Sequence, residues 1–385
     1  MSTAHPLARR AGSSSARLGA GGAADVVGSV GDGARGASGT PGRTRPVDGR
    51  VDRTRRSPFA RLFARPEIGA LVGALVVATL FLAVAPAFRN LANVGTILYG
   101  SAVIGIMAVG VSLLMIGGEF DLSTGVASTT SGLTAALVAW NFGLNVWVGV
   151  VVALVISLLI GAFNGWLFVR TGLPSFLVTL GTFFVLRGIN LGVTRAVTGN
   201  VASPSVTDMD GWDSARAVFA TTLRLGVVEV KMIVVFWLVL TGLAAYVLLR
   251  TSVGNWILAV GGDADAARAS GVPVTAVRIG LFTFVGFCAW MLGMHLLFEY
   301  QVVQSGEGVG KEFIFIIAAV VGGCLLTGGY GSVVGAALGA LVFGMTQLGI
   351  TYADWNPDWF YTFLGVMLLL ACLVNLAVKK RGESR

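Results

Sequence analysis

From Ile68 onward the chain alternates between long apolar runs and short polar or glycine-containing interruptions. A helix rises ~1.5 Å per residue, so about twenty apolar residues match the ~30 Å hydrocarbon core of a bilayer. Ten stretches reach or approach that length: 68–88, 96–116, 122–141, 146–169, 174–194, 231–249, 276–298, 312–327, 330–350 and 359–378. The pattern predicts an all-α polytopic membrane protein with about ten transmembrane helices. Gly328 and Gly329 separate the eighth stretch from the ninth, and one broken helix is the alternative reading of that pair.

Residues 1–66 follow no such pattern. They are rich in Gly, Ala, Ser, Arg and Pro, and cannot bury enough apolar surface to offset the entropy of ordering. The expectation is a disordered basic tail over 1–66, followed by a transmembrane domain over 67–385. No apolar core falls within the first thirty residues, so the tail does not read as a signal peptide. Translation from an internal start is an alternative account of part of it.

Composition sharpens this picture. Hydrophobic residues make up 55% of the 385-residue chain and charged residues 12%, about half the ~25% usual in soluble domains. The tail's twelve arginines and four aspartates carry the whole net charge of +8, and the rest of the chain is neutral. Nucleic-acid binding therefore has no support in the membrane body. With the N-terminus inside, the interior segments hold twenty Lys or Arg and the exterior segments six. The positive-inside rule then places both termini in the cytoplasm. Cys288, Cys324 and Cys372 lie in apolar runs without metal spacing, and the two histidines are His5 and His295. No metal site, cofactor or catalytic constellation can be assembled from that set.

The interior loop at 250–275 has structure of its own. Asp263 is a good N-cap, Ala264 to Ser270 are mostly helix formers, Arg268 suits the C-terminal end, and Gly271 with Pro273 stops the helix. So short a helix is marginal in water and is expected to rest on the membrane domain or on a soluble partner. An interfacial turn that merely joins two spans is the competing reading. Gly261 and Gly262 are expected to break the apolar stretch before it.

Polar residues near the spans are the candidates for a substrate pathway. Glu119 and Asp121 sit between two apolar runs among glycines, either in a broken helix lining the pathway or in a solvated turn with Ser123 as a helix cap. Thr124, Ser128, Ser131 and Thr134 form a hydroxyl stripe, suited to a sugar, with helix packing the commoner reason for such a stripe. Asn164, Arg187 and Asn190 are polar positions within or at the ends of spans, and Glu119 is a possible partner for Arg187. Gly331, Gly335 and Gly339 permit close helix approach, either within the chain or between two copies. Trp140, Trp147, Trp355 and Trp359 read as interfacial anchors. The stretch Gly306–Glu312 fails the phosphate-loop pattern, because Ser305 and Glu312 occupy positions that need Gly and Ser or Thr.

Four stretches together resemble the ribose/xylose-type membrane permeases of bacterial ABC sugar importers. They are AVGGDADAARASGV (Ala259–Val272), GGEFDLSTG (Gly117–Gly125), Gly161–Gly188 with its NG and PSFLVTLG elements, and Ile317–Gly344. The resemblance spans roughly residues 90–380. Asp263 stands where the family favours Asn, Asn375 where it carries an acid, and the tail has no counterpart. The resemblance implies that Gly261, Gly262, Asp263, Asp265, Ala266, Ala267, Arg268, Ser270 and Gly271 form the segment that docks on an ATPase subunit. It favours a pathway role for Glu119 and Asp121, with Ser123, Ser128, Asn164, Thr179, Arg187 and Asn190 as the further candidates for that pathway. It further implies a second permease copy, identical or related, a separate ABC ATPase, an extracytoplasmic sugar-binding protein and a bacterial plasma-membrane location. A branched-chain amino-acid permease is the alternative for substrate class. An ion-coupled secondary carrier would show inverted repeats, and a membrane enzyme would need more than Glu119 and Asp121.

Overall fold

The computed structural model describes residues 66–383, with side chains from Glu67 to Leu373. The expected tail lies outside these residues but for Pro66. Among the described residues the fold is thirteen α-helices, two short 3-10 turns and one hairpin. The helices α1 to α5 are Pro66–Val84, Val94–Ile116, Thr124–Phe142, Val146–Thr171 and Ser175–Thr198. A lid follows, made of α6 (Trp212–Phe219) and the antiparallel strands β1 (Thr222–Leu225) and β2 (Val228–Lys231). The helices α7 to α10 are Met232–Arg250, Ser252–Gly262, Ala264–Ala269 and Val274–Tyr300. The last three, α11 to α13, are Lys311–Val321, Val333–Tyr352 and Trp359–Glu383.

Local chemistry sets many of the ends. The Asn145 side chain accepts from Trp147 N at 3.0 Å to start α4, which Gly172 ends at a positive φ of 69°. Pro174 precedes α5, where its lack of an N–H costs nothing.

Seven helices are long and apolar enough to cross a membrane: α1, α2, α4, α5, α7, α10 and α12. The other three predicted spans take different forms. The stretch at 122–141 is α3, whose hydroxyl residues lower its hydropathy and which is buried along almost its whole length. The stretch at 312–327 is helical only as α11, eleven residues or about 16 Å, too short to span. It ends at Gly322 and Gly323, whose N–H groups turn back onto Ala318 and Val320. The stretch at 359–378 lies within α13, of which Trp359–Leu373 forms a shorter apolar helix.

Packing separates an inner from an outer set. Most residues of α2, α10 and α12 are buried, together with those of α3, while most residues of α1, α4, α5 and α7 are at least partly exposed. That exposed surface carries Val76, Leu159, Phe184, Leu238 and Leu249, each more than half exposed. A water-soluble monomer rarely shows apolar patches of this extent, whereas lipid tails solvate them.

The glycine repeat on α12 packs inside the chain. Gly335 meets the Gly322 carbonyl and Gly339 the Ala318 carbonyl, leaving no room for a β-carbon between α11 and α12. Opposite, at the lid end, Ser203 N donates to Val303 O at 2.9 Å and Lys231 pairs with Glu299 at 2.7 Å. Of the expected anchors, Trp140, Trp355 and Trp359 are exposed, and Trp147 donates to Ser214 Oγ at 2.8 Å.

Candidate coupling segment and buried polar network

The chain leaves α7 at Arg250 and turns at Thr251, whose extended backbone ends one helix and whose hydroxyl caps the next by accepting from Gly254 N at 3.3 Å. Gly261 and Gly262, expected to interrupt the helix, instead complete α8. The break comes one residue later. Asp263 is extended (φ −154°, ψ 105°), and its Oδ1 accepts from the N–H groups of Asp265 and Ala266, both at 3.0 Å. This is the predicted N-cap.

The helix it starts, α9, runs Ala264–Ala269, with Ser270 as its C-cap rather than its last residue. Ser270 Oγ donates to Ala266 O at 2.9 Å, and Gly271 takes a positive φ of 84° so that Val272 N can reach Ala267 O at 3.1 Å. Arg268 pairs with Asp265 at 2.7 Å along the outer face. Ala267 is buried, whereas Asp263, Asp265, Ala266, Arg268, Ser270 and Gly271 are all exposed. The segment is a small capped knob with Ala267 packed inward and a polar face outward.

The second site lies where α2 stops and α3 has yet to start, in the non-helical segment 117–123. It is not a solvated turn. Glu119, Asp121 and Ser123 are all buried, as are Asn164, Ser175 and Thr179 around them. Asp121 Oδ1 accepts from Ser123 N at 2.7 Å and from Ser123 Oγ at 2.6 Å. Asn164 Nδ2 donates to Ser123 Oγ at 3.0 Å, and Thr182 Oγ1 donates to Asn164 Oδ1 at 2.7 Å. The backbone is held as well: Phe120 N donates to Ser175 Oγ at 3.1 Å and Leu122 N to Thr179 Oγ1 at 3.0 Å. Hydroxyls and an amide from α4 and α5 thus supply the partners that a broken helix loses.

Glu119 pairs with Arg278 of α10 at 3.1 Å, and the Arg278 guanidinium lies 5.0 Å from the Phe168 ring centre. The expected partner, Arg187, is not there. It is exposed on the outward face of α5, beside exposed Phe184, Val185 and Ile189. The physical reason is that α5 turns only its Ser175, Thr179, Thr182, Leu186 and Asn190 side toward the interior. Asn190 Nδ2 donates to Val126 O at 3.4 Å, and Ser128 Oγ returns to Gly125 O of its own helix at 2.7 Å. In the hydroxyl stripe, Thr124 Oγ1 and Ser131 Oγ are buried without a hydrogen-bond partner.

Six of the eight predicted pathway residues, namely Glu119, Asp121, Ser123, Asn164, Thr179 and Asn190, therefore line one region around the foot of α3. Ser128 sits one turn into α3 with its hydroxyl spent on its own helix. Sequence reasoning missed Arg278, Ser175 and Thr182. Arg278 carried a usable signal, because it is a base placed just inside the start of an apolar run. The two hydroxyls carried none.

Comparison with known proteins finds membrane permeases among the chain's relatives. The ribose import permease protein of Escherichia coli is 30% identical over 80% of this chain and 93% of that protein. The fructose import permease protein of Rhizobium meliloti is 30% identical over 74% of this chain and 78% of that protein. The xylose transport system permease protein of Escherichia coli is 28% identical over 77% and 88%. No solved structure matches the chain. Residues 93–372, from the turn before α2 to the middle of α13, match the family described as branched-chain amino acid transport system / permease component, and the chain belongs to that family.

Proposed function

We propose that the chain is the transmembrane subunit of an ATP-binding-cassette importer that carries a monosaccharide or similar small polyol across the bacterial plasma membrane. The observation that carries this reading is the capped, outward-facing helix α9 on a permease scaffold whose relatives are named for ribose, fructose and xylose. Two permease copies form the pathway, an ABC ATPase docks at Asp263–Gly271, and an extracytoplasmic binding protein delivers the sugar. Hydrolysis belongs to the separate ATPase, since the chain has no phosphate-loop sequence of its own.

In this reading residues 1–66 are a cytoplasmic tail, residues 67–385 cross the membrane about ten times, with the short α11 completing its crossing through the non-helical residues on either side of it, and both termini are cytoplasmic. The protein works by alternating access, in which partners with different affinity for two helix packings drive one into the other. Glu119, Asp121, Ser123, Asn164, Thr179 and Asn190 form the polar lining nearest α9. A branched-chain amino acid is the second reading for substrate, and the family description favours it. The sugar reading has three relatives in its support.

Deleting Asp263–Ser270 tests the assignment. Uptake of ribose, xylose and fructose into vesicles holding the permease and its ATPase, with the binding protein outside, should depend on ATP inside. It should fall to background in the deletion, with membrane insertion unchanged. Undiminished uptake would refute the role given to α9.

A further inference from the structure

The last residue of α2 and the three that follow it, Ile116 to Glu119, are held from three directions. The loop between α11 and α12 reaches them first: Gly329 N donates to Ile116 O at 2.9 Å. The end of α8 reaches them second, since a β-carbon on Gly261 would collide with the same Ile116 carbonyl. These two elements also press on each other. A β-carbon on Gly328 would lie 2.6 Å from Gly118 Cα and 2.7 Å from Gly261 O, and one on Gly329 would lie 2.9 Å from Gly262 Cα. The third is α10, where Arg278 grips Glu119 at 3.1 Å and Leu281 packs on Gly117.

The positions of these holds along the chain matter. Gly261 and Gly262 lead directly into the Asp263 cap, and Arg278 lies seven residues beyond Gly271. Both arms of the exposed knob therefore seize one segment. From that segment the bonds run on through Phe120 N to Ser175, Leu122 N to Thr179, and Asp121 by way of Ser123 and Asn164 to Thr182. At the glycines the contact is backbone on backbone, with no side chain to yield, so a displacement is passed on rather than absorbed.

We infer that Ile116–Glu119, clasped by Gly261–Gly262, Gly328–Gly329 and Arg278, is the joint through which movement of α9 reaches the buried network of Asp121, Ser123, Asn164 and Thr182. The clasping residues are positioning residues that act on the pathway through the 117–123 segment. The inference rests on the importer reading given above.

Leu122 is half-buried within the segment and serves as a reporter. The permease carrying Leu122→Cys and Cys372→Ser is purified with its ATPase, and labelling by N-ethylmaleimide is timed without nucleotide and with ATP plus vanadate. Trapping the nucleotide should change the labelling rate by about fivefold or more. In Gly328→Ala, whose β-carbon would press on Gly118 and Gly261, and separately in Glu119→Gln with Arg278→Met, that change should vanish while ATPase association and hydrolysis persist. Arg278→Lys, which keeps the ion pair, should restore it. An unresponsive unmodified complex, or a full response in both variants, overturns the joint alone. Hydrolysis and association falling in step in both variants also overturns it, because that marks a purely structural role. Failure of the unmodified permease to hold an ABC ATPase overturns the importer reading, and the joint with it.

Discussion

Arg278 shows how one side chain can settle the electrostatics of a buried region. Its guanidinium meets Glu119 where both are largely out of solvent, and it lies near the Phe168 ring. Removing one partner of a buried pair leaves an uncompensated charge and costs about 3–5 kcal/mol, whereas removing both leaves none. Arg278→Met should therefore lower the melting temperature of the detergent-purified protein markedly, and adding Glu119→Gln should recover most of the loss. Arg187→Ala, on the exposed face of α5, should shift it little. Equal effects of the single and double changes would argue against the ion pair. Asn164 plays the neutral counterpart, donating to Ser123 and accepting from Thr182 at once.

Among the elements, α3 and α11 depart furthest from simple membrane spans. Burial of α3 on nearly every side allows it a polar, hydroxyl-rich sequence that lipid would penalise. The short α11 ends against α12 because Gly322, Gly335 and Gly339 bring the two backbones together. Overpacking a filled interface costs about 1–3 kcal/mol when side chains can adjust, and carbonyls fixed in helices adjust less. Gly335→Val should thus reduce the yield and melting temperature of folded protein. Gly188→Ala on α5, where nothing approaches within 4 Å, should leave both unchanged. If the two variants behaved alike, the close contact of α11 with α12 would be in doubt.

For the whole molecule, the decisive matter is which end of the bundle faces the cytoplasm. The α9 knob lies between α7 and α10, at the end away from the β-hairpin lid. The charge bias of the loops is the basis on which we propose that the knob's end faces the interior. A cysteine at Ala266, which is exposed, in a protein with Cys372→Ser should resist impermeant maleimides added to intact cells and react in inverted vesicles. Reaction from outside would invert the topology and remove α9 as a docking site.

The helical membrane class and the Asp263-capped helix were legible in the sequence, because each is encoded by neighbours. An apolar run carries its own length, and a cap needs only the residues it bonds. Glu119 and Asp121 could be singled out for the same reason, as acids flanked by apolar runs. Their surroundings could not be read. Whether they faced water, and whether Glu119 met Arg187 or Arg278, depended on which helices stand side by side. Hydropathy is blind to that, since an apolar side chain against lipid and one against another helix look the same along the chain. Tertiary packing alone shortened the eighth span to α11, buried α3, turned Arg187 outward and drew five glycines from three segments together beside α9.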